Sequence, residues 1–224
     1  MTLINRRNFT LGLGAFSLAG CQMTPDAAVG PMQSPLPYDV AAMYGPRPEE
    51  QFPLPAVDLS KVQPQYLRRE VRDPTGERPG TVVVDTGTRY LYLVRENGRA
   101  IRYGIGVGRD GFSWNGEAKI QYKRAWPTWT PPAEMIARQP ELEKYRNGMP
   151  PGLGNPLGAR ALYLFQGGKD TLYRLHGTNE AYSIGRAVSS GCVRLLNQDI
   201  IDLYERVPSG SRVIVRPQSA PLTA

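Results

Sequence analysis

The pattern of hydrophobic and polar positions changes near residue 80. Beyond that point short runs of β-branched and aromatic residues recur, and Gly, Asn, Asp or Pro separates them, which is typical of β-strands joined by turns. The pair Asn97-Gly98 follows the second run and favours a tight type I′ hairpin turn. The pattern predicts a mainly β fold with strands at 81–86, 89–95, 100–108, 117–122, 161–166, 172–176 and 212–215.

Two segments have helical rather than strand periodicity. The first belongs to an insertion between strands at 126–156, where Pro140 interrupts the helical pattern and Asn147-Gly148 ends it. We interpret this insertion as a lid over the functional site. The second is a late helix that Asn197 is predicted to cap and Pro208 to stop. One of its faces carries the residues Ile200, Leu203, Tyr204 and Val207.

The hydrophobic residues before residue 80 show neither strand nor helix periodicity. Residues 31–79 are rich in proline, and they are predicted to form an extended, largely irregular tether with one short ordered piece near 64–72. The β domain then spans residues 80–217, and residues 218–224 form a C-terminal tail.

Residues 1–30 have the features of an export signal. Paired arginines, Arg6 and Arg7, precede a short apolar run at 11–19 that ends in small residues and is too short to span a bilayer comfortably. The arginine pair followed by Phe9 resembles a twin-arginine signal, which exports folded proteins. A Sec signal is the alternative.

The end of this signal, Leu18-Ala19-Gly20-Cys21, resembles a bacterial lipobox. The resemblance implies that Cys21 is lipidated and that the mature protein is a periplasmic lipoprotein. Because Gln22 rather than Asp follows, it also implies an anchor in the outer membrane. The alternative is a plain signal cleaved near residues 27–30, which removes Cys21.

Composition narrows the choice of partners. The net charge is +7, and two of the positive charges lie in the export signal. No cluster of Lys and Arg interleaved with aromatics is present, so nucleic acid is not an expected partner. A basic surface suits a polyanion, and in the periplasm the carboxylate-rich polymer is the cell wall.

The sequence contains no convincing motif for binding a cofactor or a metal ion. Residues 106–111 fit the pattern GxGxxG after a strand, but turn residues follow where a dinucleotide site needs a helix N-terminus. The chain has one histidine and two cysteines, and one of these, Cys21, belongs to the export signal. One histidine and one cysteine in the folded domain are too few for the usual sets of zinc ligands. We therefore expect neither a cofactor nor a metal.

The remaining candidates are His176 and Cys192, sixteen residues apart with a turn-rich segment between them. The chain can double back and bring the two side chains together. An imidazole that takes the thiol proton would give a thiolate–imidazolium pair able to attack a carbonyl. The backbone N–H groups of Gly191 and Cys192 could then stabilise the oxyanion. A structural histidine and an inert buried cysteine are the alternative interpretation.

These residues resemble a known signature. The segments HGT (176–178) and SSGCVRL (189–195) are similar to the active-site motif of the L,D-transpeptidase catalytic domain. The segments TRYLYLV (88–94) and NPLGARALYL (155–164) extend the resemblance. It implies a β-sandwich of mixed strands, and peptidoglycan stem peptides as substrates.

The resemblance also implies residue roles. Cys192 matches the nucleophile, His176 the general base and acid, and the carbonyl of Gly177 the group that orients the imidazole. Arg194 matches an arginine that orders the site or binds a substrate carboxylate. Ser190, another candidate substrate contact, stands where many members have His. Trp129 is a further candidate for stacking on substrate, with core packing as its alternative.

The expected reaction is a two-step acyl transfer that releases D-Ala from a tetrapeptide stem. The sequence does not identify the acceptor of the acyl group. A stem-peptide amine as acceptor gives a 3→3 crosslink, and an outer-membrane protein as acceptor becomes anchored to the wall. With water as acceptor, this chain is a carboxypeptidase or hydrolase. A non-catalytic wall-binding lipoprotein is the second alternative. A papain-like protease is disfavoured. In that class the catalytic Cys precedes the His in the sequence, whereas here His176 precedes Cys192.

Overall fold

The structure is a computed structural model that describes residues 40–108, 114–189 and 192–217. Strands predominate in these ranges, which confirms the prediction of a mainly β fold. The helices are α1 (Val40–Tyr44), α2 (Ala133–Arg138) and α3 (Asn197–Arg206). The strands are β1 (Arg69–Arg72), β2 (Val82–Asp85), β3 (Tyr90–Arg95), β4 (Arg99–Gly104), β5 (Val107–Gly108), β6 (Gly116–Ala125), β7 (Arg160–Gln166), β8 (Lys169–Thr178), β9 (Ala187–Ser189), β10 (Val193–Leu196) and β11 (Arg212–Arg216).

Nine of the described strands form one mixed sheet in the order β1-β4-β3-β2-β11-β6-β7-β8-β10. The pairs β2–β11 and β8–β10 are parallel, and the other neighbours are antiparallel. The backbones of Gly106 and Arg194 exchange two hydrogen bonds of 2.9 Å, which join the segment after β4 to β10 at the far edge. The sheet therefore folds over on itself, as a β-sandwich requires.

The space inside this folded sheet is filled by aliphatic side chains from both halves and by α3. Val82, Leu91 and Ile120 from one part and Leu162 and Leu175 from another are fully buried in the same cluster. The predicted apolar face of α3 is confirmed, since Ile200, Leu203 and Val207 enter this core and Tyr204 packs against it.

Two local predictions have different outcomes. The hairpin between β3 and β4 is confirmed, because Asn97 and Gly98 have φ values of 59° and 65°, as a type I′ turn needs. The capping role of Asn197 is wrong: its side chain does not cap α3. Its Oδ1 atom instead accepts the Ala159 N–H at 2.9 Å, so a long-range contact replaces the local cap.

The prediction of an extended tether is wrong for residues 40–79, although regular structure there is sparse. A few apolar side chains of this segment, Tyr44, Val62 and Leu67 among them, bury against Ile184 and Leu196 of the β domain. Strand β1, within the predicted ordered piece, extends the sheet as a neighbour of β4. Proline-rich composition does not prevent packing where apolar anchors recur at intervals. Residues 31–39 and the predicted tail at 218–224 lie outside the described ranges.

The insertion at 126–156 contains α2 and a 3-10 helix at Pro140–Tyr145. Its two ends meet where Trp129 and Met149 exchange backbone hydrogen bonds of 3.1 and 2.6 Å. The buried Asn155 donates through its Nδ2 to the carbonyl groups of Pro127, Met149 and Pro150. The insertion is thus tied at its base, and its role as a lid stays a prediction.

Candidate active site

Strands β8 and β10 bring His176 and Cys192 to the same region. In the parallel register, Val193 lies opposite Leu175, and Arg194 opposite His176. One residue further back, Cys192 lies beside Arg174. Because side chains alternate along a strand and Leu175 and Val193 point into the core, the side chains of His176, Arg174 and Cys192 share the opposite face. The sequence predicts that the chain doubles back between these residues; because β8 and β10 are parallel, the segment between them crosses back along the sheet instead of forming a hairpin.

A bulge in β8 shapes the surroundings of the sulfur. Tyr163 of β7 lies opposite Arg174, but Phe165 lies opposite Asp170, so β8 carries extra residues between these two pairs. Leu172 is one of them, with φ at 63° and its N–H bonded to the Asp170 carboxylate at 2.8 Å. Its carbonyl oxygen lies 4.0 Å from the Cys192 Sγ. The N–H of Arg174 also donates to this sulfur.

His176 is buried, and its Nδ1 lies 2.7 Å from the Gly177 carbonyl oxygen. A carbonyl can only accept, so Nδ1 carries the proton and donates, and Nε2 keeps a lone pair. Burial lowers the pKa of His176 to about 4, assisted by the positive charges of Arg194 and Arg174 and opposed by the Gly177 bond. The imidazole is therefore neutral at pH 7 and able to accept a proton.

Close packing fixes the backbone around Gly177. A Cβ atom at Gly177 would overlap the Oδ1 of Asn197 and approach the Ala159 nitrogen to 3.1 Å. Gly158, with φ at 61°, presses against the same Gly177 backbone. Sequence reasoning found Gly177 but missed Gly158 and Asn197. The only signals for them were a glycine in a proline-rich turn and an asparagine at a helix start.

The electrostatics at Cys192 differ from the sequence expectation. Burial raises the pKa of the thiol above its ordinary value, while the Arg174 N–H and the charges of Arg174 and Arg194 lower it by less. With a neutral imidazole nearby, these shifts favour a neutral thiol at rest over the expected thiolate–imidazolium pair. An attack by this thiol would then include the transfer of its proton to His176.

The other candidate residues have separate environments. The Nη1 atom of Arg194 is bonded to Glu180 Oε2 at 2.6 Å, so this arginine holds the turn after β8. Trp129 is half-buried at the base of the insertion. Ser190 and Gly191 lie outside the described residues, and so does Cys21.

Two kinds of feature are absent from residues 40–108, 114–189 and 192–217. These ranges contain no group of three or more His, Cys, Asp or Glu side chains that could hold a metal ion. None of the helices described here is long and apolar enough to cross a membrane.

Comparison with known proteins identifies similar sequences. Residues 79–215 match the L,D-transpeptidase catalytic domain family called YkuD. The chain is 39% identical over 145 residues to the probable L,D-transpeptidase YbiS of Escherichia coli K12, covering 62% of this chain and 45% of that protein. It is 34% identical over 156 residues to the probable L,D-transpeptidase ErfK/SrfK of the same strain, covering 67% and 48%. The chain thus spans about half the length of these relatives.

Two solved structures are also similar. One, from Brucella melitensis and named a probable carnitine operon oxidoreductase, is 47% identical, with 71% of this chain and 99% of that chain covered and a TM-score of 0.49. An L,D-transpeptidase from Mycobacterium smegmatis is 20% identical, with 61% and 58% covered and a TM-score of 0.45.

Proposed function

Since the chain belongs to the YkuD family of L,D-transpeptidase catalytic domains, we propose that it acts on peptidoglycan stem peptides with Cys192 as its nucleophile. One observation carries this proposal. A neutral imidazole, whose Nδ1 is held by the Gly177 carbonyl at 2.7 Å, shares a sheet face with a thiol on the adjacent strand. This is the base–nucleophile arrangement that cysteine acyl transfer needs.

In the first step, the Cys192 sulfur attacks the carbonyl carbon at the L-centre of the third stem residue. His176 Nε2 accepts the thiol proton as the S–C bond forms. Backbone N–H groups, which we assign to Gly191 and Cys192, stabilise the oxyanion. The C–N bond to the terminal D-Ala then breaks, the imidazolium protonates the leaving amine, and a thioester remains.

In the second step, an acceptor amine attacks the thioester carbonyl. His176 removes a proton from this amine, the C–S bond breaks, and the proton returns to the sulfur, which regenerates the resting pair. A stem-peptide amine yields a crosslink, and an amine of an outer-membrane protein yields a protein anchored to the wall. Water in the same position yields a carboxypeptidase or hydrolase.

The first test is covalent labelling of the intact chain. A carbapenem should acylate Cys192, because its strained carbonyl accepts the same attack, and mass spectrometry of the peptides would locate the adduct. Cys192→Ala should take no label at this peptide. If the wild type takes no label and leaves purified muropeptides unchanged, the chain is a non-catalytic wall-binding protein and the proposal is wrong.

The second test identifies the acceptor. Incubation with tetrapeptide muropeptides, followed by chromatography and mass spectrometry, separates the outcomes. Crosslinked dimers with loss of D-Ala support a transpeptidase, and tripeptides alone support water as the acceptor. A peptide-bearing outer-membrane protein, recovered only when that protein is added, supports wall anchoring.

We further propose export to the periplasm and attachment to the outer membrane through lipidated Cys21. The sequence of residues 1–30 supports this, because it resembles an export signal with a lipobox. The mature protein should partition into detergent, and Cys21→Ser should release it into the aqueous phase. A wild-type protein that is already in the aqueous phase would argue for a plain signal peptide.

A further inference from the structure

Arg174, which sequence reasoning did not single out, lies directly beside the nucleophile. It occupies the position of β8 next to Cys192, and its own N–H donates to the sulfur. Its side chain is on the same face as that of Cys192, because Leu175 and Val193 both point into the core. Only 14% of the Arg174 side chain is exposed. The guanidinium is therefore a partly desolvated positive charge close to the reacting atom.

The guanidinium is held on two sides. Asp170 binds it through two parallel hydrogen bonds of 2.7 and 2.8 Å. Its central carbon lies 4.4 Å from the centre of the Tyr163 ring, and that ring stacks on Tyr122 with centroids 4.3 Å apart. A bidentate ion pair and a stacked ring restrict the rotamers of a long side chain. The charges of Arg174 and Asp170 thus have fixed positions relative to the sulfur.

Two other titratable groups lie near Cys192. Arg194, two residues after Cys192, is paired with Glu180 at 2.6 Å, and its charge lowers the pKa of Cys192 by less than the charge of Arg174 does. His176 faces the same region but is neutral at pH 7, because burial lowers its pKa to about 4. Arg174 and Asp170 are consequently the pair of fixed charges on the strand beside the sulfur.

Building on the function proposed above, we propose that Arg174 and Asp170 set the charge of the Cys192 sulfur with opposite signs. The guanidinium favours the thiolate that forms during attack, and the carboxylate weakens this effect. Cys192 is half-buried, so its sulfur is poorly solvated when it ionises, and a nearby fixed cation offsets part of that cost. The charge of Arg174 lowers the pKa of Cys192 and the charge of Asp170 raises it, and the effect of Arg174 is the larger of the two.

The test uses two substitutions that break the same ion pair. Arg174→Gln removes the cation, and Asp170→Asn removes the anion while keeping an Oδ1 acceptor for the Leu172 N–H. The alkylation rate of Cys192 by iodoacetamide is measured against pH on the full chain, with peptide mass mapping to separate Cys192 from Cys21. The pH midpoint should rise by on the order of one unit in Arg174→Gln and fall by about half a unit in Asp170→Asn.

Two controls accompany these variants. Arg174→Lys keeps the positive charge and should stay nearer to the wild-type midpoint than Arg174→Gln. Arg99→Gln removes an exposed ion pair with Glu70 at the β1–β4 edge and should leave the midpoint unchanged. Circular dichroism at the working temperature establishes that each variant is folded.

The outcomes separate this inference from the proposed function. If both ion-pair variants shift the midpoint in the same direction, or neither shifts it, the pair is only a structural tie and the inference is wrong. Alkylation needs no peptidoglycan, so opposite shifts support the inference even where muropeptides stay unchanged. In that case the proposed function alone fails.

Discussion

Two regions of the molecule bury titratable side chains and use them differently. One is the sheet face that carries His176 and Cys192. The other is a cluster beneath α3 that joins it to the N-terminal segment; we define this α3 cluster as Tyr44, Arg68, Tyr103, Asp199 and Asp202. In the first region burial suppresses ionisation of both groups, and the imidazole keeps an open lone pair. A neutral pair with an unused proton acceptor is a reactive arrangement.

In the α3 cluster, by contrast, the buried charges are paired with one another, although the Oδ1 atom of Asp199 accepts no hydrogen bond. Arg68 lies 3.0 Å from Asp202 and 3.7 Å from Asp199, which is fully buried. The Tyr103 hydroxyl donates to Asp202 at 2.6 Å. The Tyr44 hydroxyl accepts the Arg68 N–H at 2.6 Å and donates to Asp199 at 3.3 Å. Desolvation acts in both regions, but only the first region places a thiol on the same sheet face as a neutral imidazole.

The largest expected effect is on the sheet face that carries His176 and Cys192. His176→Gln removes the proton acceptor, so carbapenem acylation of Cys192 should fall by about 10²–10⁴-fold. Folding should be little affected, because the variant loses no charge partner. Acylation followed by mass spectrometry measures the first quantity, and thermal unfolding the second. A variant that acylates at the wild-type rate would mean that His176 is structural and that the contrast between the regions is wrong.

The α3 cluster should respond in the opposite way. Arg68→Met leaves the buried Asp199 carboxyl group without its cation, while Asp202 keeps its ion pair with Arg206. We expect a loss of about 3–5 kcal/mol in the free energy of unfolding. Urea unfolding at pH 7 measures this. Arg99→Gln breaks an exposed pair instead and should change stability by about 1 kcal/mol or less. At temperatures where Arg68→Met remains folded, its acylation rate should match the wild type.

The sequence was sufficient for what is local or carried by a motif. The hairpin at Asn97-Gly98 follows from a turn that two adjacent residues determine. The face of α3 follows from the spacing of its apolar residues. The pair His176 and Cys192 was singled out because one histidine and one domain cysteine were left after the other chemistries had been set aside, and its catalytic role stays a prediction.

What could not be predicted depends on contacts between distant segments. Tyr44 and Asp199 are 155 positions apart, and proline-rich surroundings gave no sign that Tyr44 is a core residue. The pairing of Arg194 with Glu180 depends on how the turn after β8 folds back. Arg174 was overlooked because its closeness to the sulfur follows from the parallel register of β8 and β10, which alternation along a single strand does not encode.

A pH experiment sharpens the comparison, because the two regions depend on pH with opposite signs. Burial raises the pKa of Asp199 to about 7, above the unfolded value of about 3.9. The folded state then binds more protons between these values, so this contribution is fully present below pH 4 and is lost as pH rises to 7. The loss is up to about 4 kcal/mol. His176, with a lowered pKa of about 4, adds stability as pH rises from 4 to 6.5.

The difference between wild type and Asp199→Asn isolates the first contribution. Urea unfolding from pH 4.5 to 8 should show stability of the wild type falling relative to the variant across this range. In Asp199→Asn, the free energy of unfolding should still rise with pH below pH 6.5. This rise should disappear in the double variant that also carries His176→Gln. A wild-type curve parallel to that of Asp199→Asn would show that Asp199 has the same pKa folded and unfolded.

The smallest effect is expected at Asn197, which lies outside the α3 cluster but on the same helix as Asp199 and Asp202. It is the first residue of α3, and its Oδ1 accepts the Ala159 N–H while contacting Gly177, whose carbonyl holds His176. Asn197→Ala leaves a buried N–H without a partner, so we expect a loss of about 1–3 kcal/mol in stability. We also expect carbapenem acylation to slow by about tenfold or less, because the imidazole is less firmly oriented.

Asn197→Asp keeps the acceptor for Ala159 and should retain most of the acylation rate, even though a buried charge lowers its stability. Comparing the two variants at a temperature where both are folded separates orientation from stability. If Asn197→Ala loses stability but acylates as fast as the wild type, α3 contributes nothing to the orientation of His176. If Asn197→Ala slows acylation while Asn197→Asp does not, one buried amide oxygen links the region built for stability to the region built for reaction.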